Sequence, residues 1–424
     1  MASLHDKLRS LGVNVGTQHL PARQGSSSYS VEKIFEGRVI ETQAGDAFVV
    51  ETGYHLNYIH GHVGIQITSP LEVLADWARD CHIKELSPQS LAFIDTETTG
   101  LSGGTGTYTF LIGAARFLKN QFHIKQFFMR DPIEEPAQLL AFEEFLAPCE
   151  AIVSFNGKAF DIPLLNTRYI THGWRSPLKD IPHIDLLHLA RRLWRDRIPS
   201  RTLSNLETQV LGAMRTEEDI PGWMVPSLYF EYLMDGDARP LKRVFYHNEI
   251  DVLSLAALLN YIAELLSDPL VIGNKYSSDL IALARLFEDL GDTDSAANLY
   301  LSGLNHEDVQ KNRLPQPSII DAVLRLAMIH KRRENFQAAI ELWMQAADKK
   351  HIEAHVELTK YYEHRTKEYR QALYWTQSAI EKISSLQDLG DYPRGINPSN
   401  RMKWLSNLQH RLKRLERKHS LRQE

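Results

Sequence analysis

The chain has few cysteines and no long apolar run, and these absences narrow what it can be. Its 424 residues include only two cysteines, Cys81 and Cys149, which lack the paired spacing of a zinc site or a disulfide framework. No apolar run reaches the roughly 18 residues typical of a membrane span. The first residues, MASLHDKLRSLG, have no apolar core and no small-residue cleavage site, so they do not resemble a signal peptide. We therefore expect a cytoplasmic protein without a membrane partner.

No charge of one sign dominates the chain. The 48 Lys and Arg residues and the 53 Asp and Glu residues leave a formal net charge of −5. A surface that binds nucleic acid must therefore be a local basic patch. With 43% hydrophobic and 24% charged residues, the composition is that of a globular protein, and its length predicts two or three domains.

The first part of the chain, residues 1–86, is predicted to be an N-terminal extension. It contains a Gly/Ser-rich stretch, RQGSSSYS, and an alternating segment, FEGRVIETQAGDAFVVETGY. Alternation of apolar and polar residues around Ala-Gly-Asp indicates a small β-hairpin. We expect this hairpin to be a separate element that packs against the next domain.

Residues 87–268 combine strands with helices. The strands LAFID, TYTFLIGAARFL and QFHIKQFFM come first, and a helix and a further strand, AIVSF, follow. HIDLLHLARRLWR and SNLETQVLG are predicted to be helical, and a long helix from about Leu241 to Leu266 closes the region. This order predicts an α/β domain with a mixed central sheet and flanking helices.

Residues 269–424 lack strand patterns and contain Ala-rich amphipathic helices. Ala339 and Ala372 are separated by 33 residues, which is close to the period of about 34 of a tetratricopeptide repeat. Ala296 and Ala339 are separated by 43, which fits the same period if NHEDVQKNRLPQPS is an insertion. We expect an all-α domain of tetratricopeptide-like repeats; an ordinary helical bundle with chance alanine spacing is the alternative.

The segment FIDTETTG places two acids at the end of an apolar strand. Residues i and i+2 of a strand face the same side, so Asp95 and Glu97 project together. Two adjacent carboxylates repel each other unless a cation lies between them or one stays protonated. A hard divalent cation, Mg²⁺ or Mn²⁺, is expected because it takes oxygen ligands. For this motif alone, a solvated strand end is the alternative.

Two further acids, at the start of a later helix and in the last long helix, could complete a metal site with Asp95 and Glu97. Asp161 begins a helix that follows the strand AIVSF, and Asp251 lies inside the last long helix, directly before an apolar run. At about 100° per residue, His247 is about 40° from Asp251 around that helix, whereas Tyr246 is about 140° away. Only His247 therefore shares a helix face with Asp251. The alternative is that Asp251 is simply a solvent-exposed residue on the helix face opposite the core.

Together these motifs resemble those of the DEDD 3′-5′ exonucleases, which have an RNase H-like fold. FIDTETTGL looks like the first motif of that superfamily, NGKAFD like the second and YHNEIDV like the third, in the same order over roughly 160 residues. Within the superfamily the chain most resembles the bacterial YprB type, also called the mitomycin repair factor B type. That resemblance rests on DTETTGLSGGTGTYTFLIG, on IDLLHLARRLW with SRTLSNLETQVLG, and on the helical repeats. It implies a metal-dependent DNA exonuclease that acts in DNA repair.

The resemblance implies roles for particular residues. The catalytic set would be Asp95, Glu97, Asp161, His247 and Asp251, and its four acids would hold two Mg²⁺ or Mn²⁺ ions. His247 would accept the proton of the attacking water, because histidine ionises near neutral pH. His247 lies four residues before Asp251, which is the spacing of the DEDD exonucleases that have a tyrosine in place of this histidine. The choice between the His and Tyr subgroups of these enzymes therefore stays open.

Substrate contacts are expected in two places. Beside the acids they would come from Thr98, Thr99, Leu101 and Asn156. The second place is ARRLWRDRIPSR, where arginines could pair with phosphates and an aromatic ring could stack on a base; its candidates are Arg191, Arg192, Trp194 and Arg195. A solvated helix face is the alternative for this arginine cluster.

The C-terminal stretch from Arg401 to Glu424 has eight Lys and Arg residues against two Glu residues. This composition predicts a DNA-binding tail, a capping helix or both. Taken together, the sequence favours a 3′-5′ DNA exonuclease that acts on a single strand or a 3′ end, with repeats that recruit a protein partner such as a helicase. A 3′-5′ exoribonuclease is one alternative, and a catalytically inactive repeat scaffold is another.

Overall fold

The structure, a computed structural model, describes residues 28–100, 106–385 and 398–422. It divides into two compact units, Met1–Asp268 and Pro269–Glu424. Each unit has its own clusters of buried apolar side chains.

A mixed seven-stranded sheet forms the centre of the first unit, in the order β1-β2-β7-β6-β5-β8-β9. The strands of this sheet are β1 (Gly37–Thr42), β2 (Gly45–His55), β5 (Leu91–Thr98), β6 (Thr109–Phe117), β7 (Gln121–Phe128), β8 (Ala151–Ser154) and β9 (His183–Asp185). Two short strands, β3 (Ile59–His60) and β4 (Val63–Gly64), pair separately.

The connections explain why the sheet is mixed. β1, β2, β7, β6 and β5 pair antiparallel, because tight turns join the hairpins β1–β2 and β6–β7. β5, β8 and β9 pair parallel, which requires longer crossovers that contain helices. Helices cover the sheet, and the predicted α/β class with a mixed central sheet and flanking helices is confirmed.

The helices of the first unit connect and cover these strands. They are α1 (Val31–Ile34), α2 (Glu72–Ala78), α3 (His82–Glu85), α4 (Glu135–Leu146), α5 (Asp161–Thr171), α6 (Leu186–Trp194), α7 (Leu203–Leu206), α8 (Val225–Asp235) and α9 (Leu241–Ser267). Short 3-10 turns occur at Pro88–Ser90, Pro132–Glu134 and Gly222–Met224, and one π-helical turn occurs at Glu207–Leu211.

The N-terminal hairpin differs from the separate packing element that the sequence predicted. β2 pairs with β7 from Phe48 to His55, so the hairpin extends the central sheet. Phe48 and Val49 are buried, because the alternating apolar residues of β2 face the cores on the two sides of the sheet.

A second difference lies at HID, which the sequence predicted to be the start of a helix. His183–Asp185 form strand β9, because Ile152 and Val153 of β8 offer a parallel edge to pair with. The Asp185 carboxylate then accepts a hydrogen bond from the Leu187 N–H at 3.1 Å and caps helix α6.

Helix α9 runs from Leu241 to Ser267, close to the predicted bounds. Among the described residues it is the one helix that is long and apolar enough to cross a membrane. However, 72% of its apolar stretch is buried inside the protein. Its side chains Leu241, Val244 and Phe245 belong to the core on one face of the sheet. This helix is therefore a core element, and it packs against β5.

Consecutive helical hairpins form the second unit. They pair α11 (Ser277–Leu290) with α12 (Thr293–Asn305), α14 (Gln316–Arg332) with α15 (Phe336–Asp348), and α16 (Ile352–Tyr361) with α17 (Tyr369–Ser384). The other helical segments are α10 (Pro269–Ile272), Gly273–Lys275, α13 (Glu307–Gln310), the π turn Tyr362–Thr366 and α18 (Pro398–Ser420).

The alanine spacing of the sequence has a structural counterpart in these hairpins. Ala296, Ala339 and Ala372 are each buried and each is the fourth residue of the second helix of a hairpin. The longer first interval contains the short helix α13, which lies in the predicted insertion. The hairpins therefore repeat, and their assignment to the tetratricopeptide type stays a prediction.

The basic C-terminal helix α18 docks on an acid within the second unit. Glu363, whose side chain is 0% exposed, pairs with Arg411 at 3.2 Å, Arg414 at 2.7 Å and Lys418 at 2.9 Å. These three cations form one face of α18, so at least part of its positive charge has a structural role. Lys403 on the same helix is exposed.

Removal of the Glu363 carboxylate should release α18. In Glu363→Ala the three cations lose their common partner, which we expect to cost about 2 kcal/mol because hydrogen bonds to charged groups are the stronger class. Limited trypsin digestion followed by mass spectrometry should show faster cleavage within α18, whereas Glu353→Ala, which changes an exposed acid of α16, should digest like the wild type. Equal digestion of all three proteins would contradict this docking.

Candidate active site

Two acids lie at the end of strand β5, where the chain leaves the core. Leu91–Ile94 are buried, whereas Asp95 and Glu97 are half-buried. The pairing of β5 with β6 is regular through Glu97 and shifts register before Thr98, which marks a β-bulge. The strand ends at Thr98, directly after the second acid, and Asp95 and Glu97 point to the same side of it.

A tight turn after strand β8 brings Asp161 to this place. Asn156 has a positive φ of 68°, and its N–H and that of Lys158 donate to the Asp185 carboxylate at 2.8 and 3.1 Å. A Cβ on Gly157 would lie 2.3 Å from Ser154 Oγ and 3.3 Å from Asp161 Oδ2, so only glycine fits.

Asp161 then meets the strand that carries the first two acids. The Thr96 hydroxyl, which lies between Asp95 and Glu97 in the chain, donates a hydrogen bond to Asp161 Oδ1. The second predicted motif, which contains Asp161, therefore contacts the first, which contains Asp95 and Glu97, through the Thr96 side chain.

Helix α9 crosses the same part of the sheet and fixes Asp95 through Asn248. The amide of Asn248 donates to Asp95 Oδ2 at 3.0 Å and to the Asp95 carbonyl at 3.3 Å. Gln126 of β7 donates to Asn248 Oδ1 at 3.0 Å and so fixes the orientation of the amide. Gly113, the partner of Asp95 on β6, makes room, since a Cβ there would lie 2.2 Å from Asn248 Oδ1.

Asp251 completes the acid cluster three residues further along α9. Loss of solvation and then the charge of Asp251 raise the pKa values of Asp95 and Glu97 well above their usual range. Burial also raises the pKa of Asp161 to about 6. Burial raises the pKa of Asp251 itself, and the Arg215 charge acts in the opposite direction. The four carboxyls thus lie close enough to disfavour one another's ionisation.

The donor set fits a hard divalent cation in its chemistry. All four side chains are carboxylates, and Glu97 makes no hydrogen bond or ion pair within the described parts of the chain. In those same residues, no group of three His, Cys, Asp or Glu side chains is already arranged to hold a metal ion. Asn248, Thr96 and Arg215 hold three of the carboxylates by other contacts, so metal binding requires local adjustment.

His247 and Tyr246 of α9 point to different partners. His247 Nε2 lies 3.6 Å from Asp251 Oδ2, whereas the Tyr246 hydroxyl accepts a hydrogen bond from the Thr216 N–H at 3.1 Å. His247 Nδ1 lies 2.7 Å from Asp219 Oδ1. Arg215 Nη1 also lies 3.0 Å from Nδ1, so the His247 ring is held between Asp219 and Arg215 on one side and Asp251 on the other.

Arg215 lies in the middle of this group, and sequence analysis missed it. Its guanidinium donates to both oxygens of Glu207 at 2.7 and 2.5 Å, to Asp219 at 3.3 Å, and to Asp251 Oδ1. The residue lies in an irregular segment, GAMRTEEDIPG, where neither apolar periodicity nor a motif indicates which side chains turn inward. Glu207, its partner, was missed with it, and Asp219 and Asn248 were missed because they act on His247 and Asp95, which lie 28 and 153 residues away in the chain.

The substrate contacts predicted beside the acids have local partners here. Thr98 Oγ1 donates to the Gly100 carbonyl at 2.9 Å, and Thr99 Oγ1 accepts from the Tyr108 N–H at 3.0 Å. Leu101 lies outside the described residues. These threonine hydroxyls shape the turn after β5, and Asn156 shapes the turn after β8 through its backbone.

The arginine cluster does not present an aromatic ring to solvent, which corrects one prediction. Trp194 is 0% exposed and packs near Tyr261, because it falls on the apolar face of helix α6. It therefore lies in the core and has no free face for a base. Arg191 and Arg195 are exposed, Arg192 is half-buried, and Arg195 pairs with the adjacent Asp196 at 3.2 Å.

Comparison with known proteins assigns the class. Residues 92–263, which include all four acids and His247, match the model of the RNase H superfamily. Members of this superfamily are nucleases that typically use divalent metal ions. The first unit therefore contains an RNase H-like domain.

A curated relative identifies the family more closely. The chain is 33% identical over 354 residues to the Bacillus subtilis (strain 168) protein described as "Uncharacterized protein YprB", a match that covers 80% of this chain and 81% of the relative. The chain belongs to the YprB family. A solved family B DNA polymerase from the archaeon Pyrobaculum calidifontis matches 57% of this chain and 33% of the polymerase, with 14% identity and a TM-score of 0.31, a similarity too low to inform function.

The raised pKa values predict that metal ions stabilise the protein in a pH-dependent way. Asp161 has an ordinary pKa of 3.8 and a pKa of about 6 in the fold, so it makes the metal-free fold less stable as pH rises through this range. A bound cation removes this penalty at neutral pH and must displace protons at pH 5. We expect saturating Mn²⁺ to raise the Tm by a few degrees at pH 7.5 and by much less at pH 5.0.

Differential scanning fluorimetry would measure this difference. The variant Asp95→Asn with Glu97→Gln should lose the increase, and Asp46→Asn, which changes an exposed acid of β2, should keep it. Equal increases at both pH values, or an increase retained by the double variant, would show that Mn²⁺ binds elsewhere.

Proposed function

We propose that the protein is a metal-dependent 3′-5′ exonuclease that hydrolyses phosphodiester bonds of DNA. The observation that carries this proposal is the convergence of four mutually repelling carboxylates from three separate chain segments beside a histidine. Membership of the RNase H superfamily supports nuclease chemistry. The 3′-5′ direction and the choice of DNA come from the resemblance of the three motifs to DEDD exonucleases.

The acids would hold the cofactor. Asp95, Glu97, Asp161 and Asp251 are the residues that would bind two Mg²⁺ or Mn²⁺ ions, since hard cations take carboxylate oxygens. When bound, such ions activate a water molecule and neutralise charge on the phosphate. Asn248 keeps Asp95 turned toward the site, and Thr96 keeps Asp161 beside β5.

His247 is the proposed general base. Its Nε2 lies 3.6 Å from Asp251 Oδ2, beside the acids where the attacking water would be deprotonated, and in this role Nε2 would carry the free lone pair. Asp219 orients the ring through Nδ1 at 2.7 Å, so the proton taken at Nε2 is matched by a carboxylate on the other side of the imidazole. Tyr246 is not placed for this role, because its hydroxyl is bound to the Thr216 N–H.

Other parts of the chain would serve the substrate and partners. The exposed side chains of Arg191 and Arg195 would meet phosphates of a single strand. The helical hairpins would bind a protein partner, such as a helicase, as tetratricopeptide repeats do. These roles, a place in DNA repair and a cytoplasmic location remain parts of the proposal.

Hydrolysis of labelled strands tests the activity. We expect single-stranded DNA labelled at the 5′ end to shorten stepwise with Mn²⁺ or Mg²⁺ and to stay intact with EDTA, while a blocked 3′ end stops the reaction. Asp95→Asn should abolish the activity and Asp46→Asn should not. RNA cleaved in preference to DNA would support the exoribonuclease alternative, and no cleavage of either strand would leave the inactive scaffold.

The base assignment predicts a specific pattern of kinetic losses. His247→Ala should lower kcat by about 10²- to 10⁴-fold. Asp219→Asn should lower kcat by about 10- to 100-fold with little change in KM, since it weakens the contact that orients the His247 ring. The pH profile of kcat should change shape in His247→Ala, because the variant lacks the proposed base. A profile unchanged in shape in His247→Ala would assign the proton transfer to another group.

A further inference from the structure

Arg215 is the one Lys or Arg within the described residues that pairs with any of the four acids. It contacts Asp251 Oδ1 through Nη2 and holds both oxygens of Glu207 through Nε and Nη2. The side chains are largely buried, with 11% of Arg215 and 2% of Glu207 exposed. The contact with Asp251 therefore lies in a place where water screens charge poorly.

Surrounding residues fix the segment that carries this arginine. The Thr216 N–H donates to the Tyr246 hydroxyl at 3.1 Å, and Arg243 Nη2 donates to the Asp219 carbonyl at 2.7 Å. Both anchors come from helix α9, which also carries Asp251. The guanidinium is thus held against the acid by the fold as well as by its own charge.

A guanidinium and a metal ion compete for the same carboxylate oxygen. The pair with Arg215 directs an N–H toward Asp251 Oδ1 and places a positive charge beside an oxygen that a divalent cation would need as a ligand. The bidentate contact with Glu207 would persist if the contact with Asp251 were broken, so the arginine can yield one partner while it keeps the other. The lack of a ready-made metal-binding group in the described residues agrees with this arrangement.

We propose that Arg215 is an internal cation for Asp251 in the metal-free protein, and that a divalent ion binds only by displacing it. This inference rests on the proposed function, because it requires Asp251 to be a metal ligand. Arg215 is then a positioning residue that stabilises the metal-free fold and lowers the affinity of the site for metal. Metal binding moves the Arg215 guanidinium away from Asp251 and leaves it on Glu207.

The test variant must not leave Glu207 charged, buried and alone. In Glu207→Gln with Arg215→Gln, the buried ion pair becomes two amides, and the net charge of the protein does not change. A rise in metal affinity therefore cannot come from a more negative protein. The matched control is Glu135→Gln with Arg168→Gln, a second buried bidentate pair with distances of 2.5 and 2.6 Å that touches none of the four acids.

Isothermal titration of the full-length proteins with Mn²⁺ at pH 7.5 measures the effect. The Glu207 and Arg215 double variant should have a Kd at least about tenfold lower than the wild type, and the control pair should bind like the wild type. A Kd equal to or above that of the wild type would overturn the inference and leave the proposed function intact. Absence of Mn²⁺ binding to every protein would overturn both.

A single substitution covers the case in which the double variant does not fold. Arg215→Lys keeps a charge for Glu207 but cannot bridge two carboxylates as a planar fork does. Its Mn²⁺ affinity should exceed that of the wild type by about threefold or more, and circular dichroism should show a wild-type spectrum. An unchanged affinity in this folded variant would likewise contradict the competition.

Discussion

The repulsion among four half-buried carboxylates is the constraint on which the rest of the site depends. Asp95 and Glu97 leave β5 together, and Asp161 and Asp251 approach them from a tight turn and from α9. Three of the acids accept a hydrogen bond from a different kind of donor: an amide for Asp95, a hydroxyl for Asp161 and a guanidinium for Asp251. The mixed sheet and the long buried helix provide the rigid frame that such a costly arrangement needs.

The residues around the four acids fix one another's positions. Gly113 and Gly157 open the space that Asn248 and Asp161 occupy. Asp219 holds His247 in one orientation, and Glu207 holds Arg215. Nearly every polar side chain near the acids thus has its position set by a second one, which suits a site whose reacting atoms must be placed within a fraction of an ångström.

Much of the fold could be predicted from the sequence because it depends on local patterns. Strand alternation, the apolar face of α9 and the alanine spacing are all readable along the chain, and helix geometry indicates that His247 faces Asp251. Arg215, Asp219 and Asn248 could not be predicted, since they act through partners 28 to 153 residues away. Trp194 was predicted to be a surface residue because it lies among arginines in the sequence. In the structure it is buried, because it lies on the apolar face of α6.

A crystal structure of the wild-type protein with Mn²⁺, analysed by anomalous scattering, would show whether the four acids bind metal in place of Arg215. We expect Mn²⁺ peaks bound by Asp95, Glu97, Asp161 and Asp251, with the Arg215 guanidinium on Glu207 and no longer on Asp251. Anomalous peaks elsewhere, with Arg215 still paired with Asp251 at saturating Mn²⁺, would contradict this expectation.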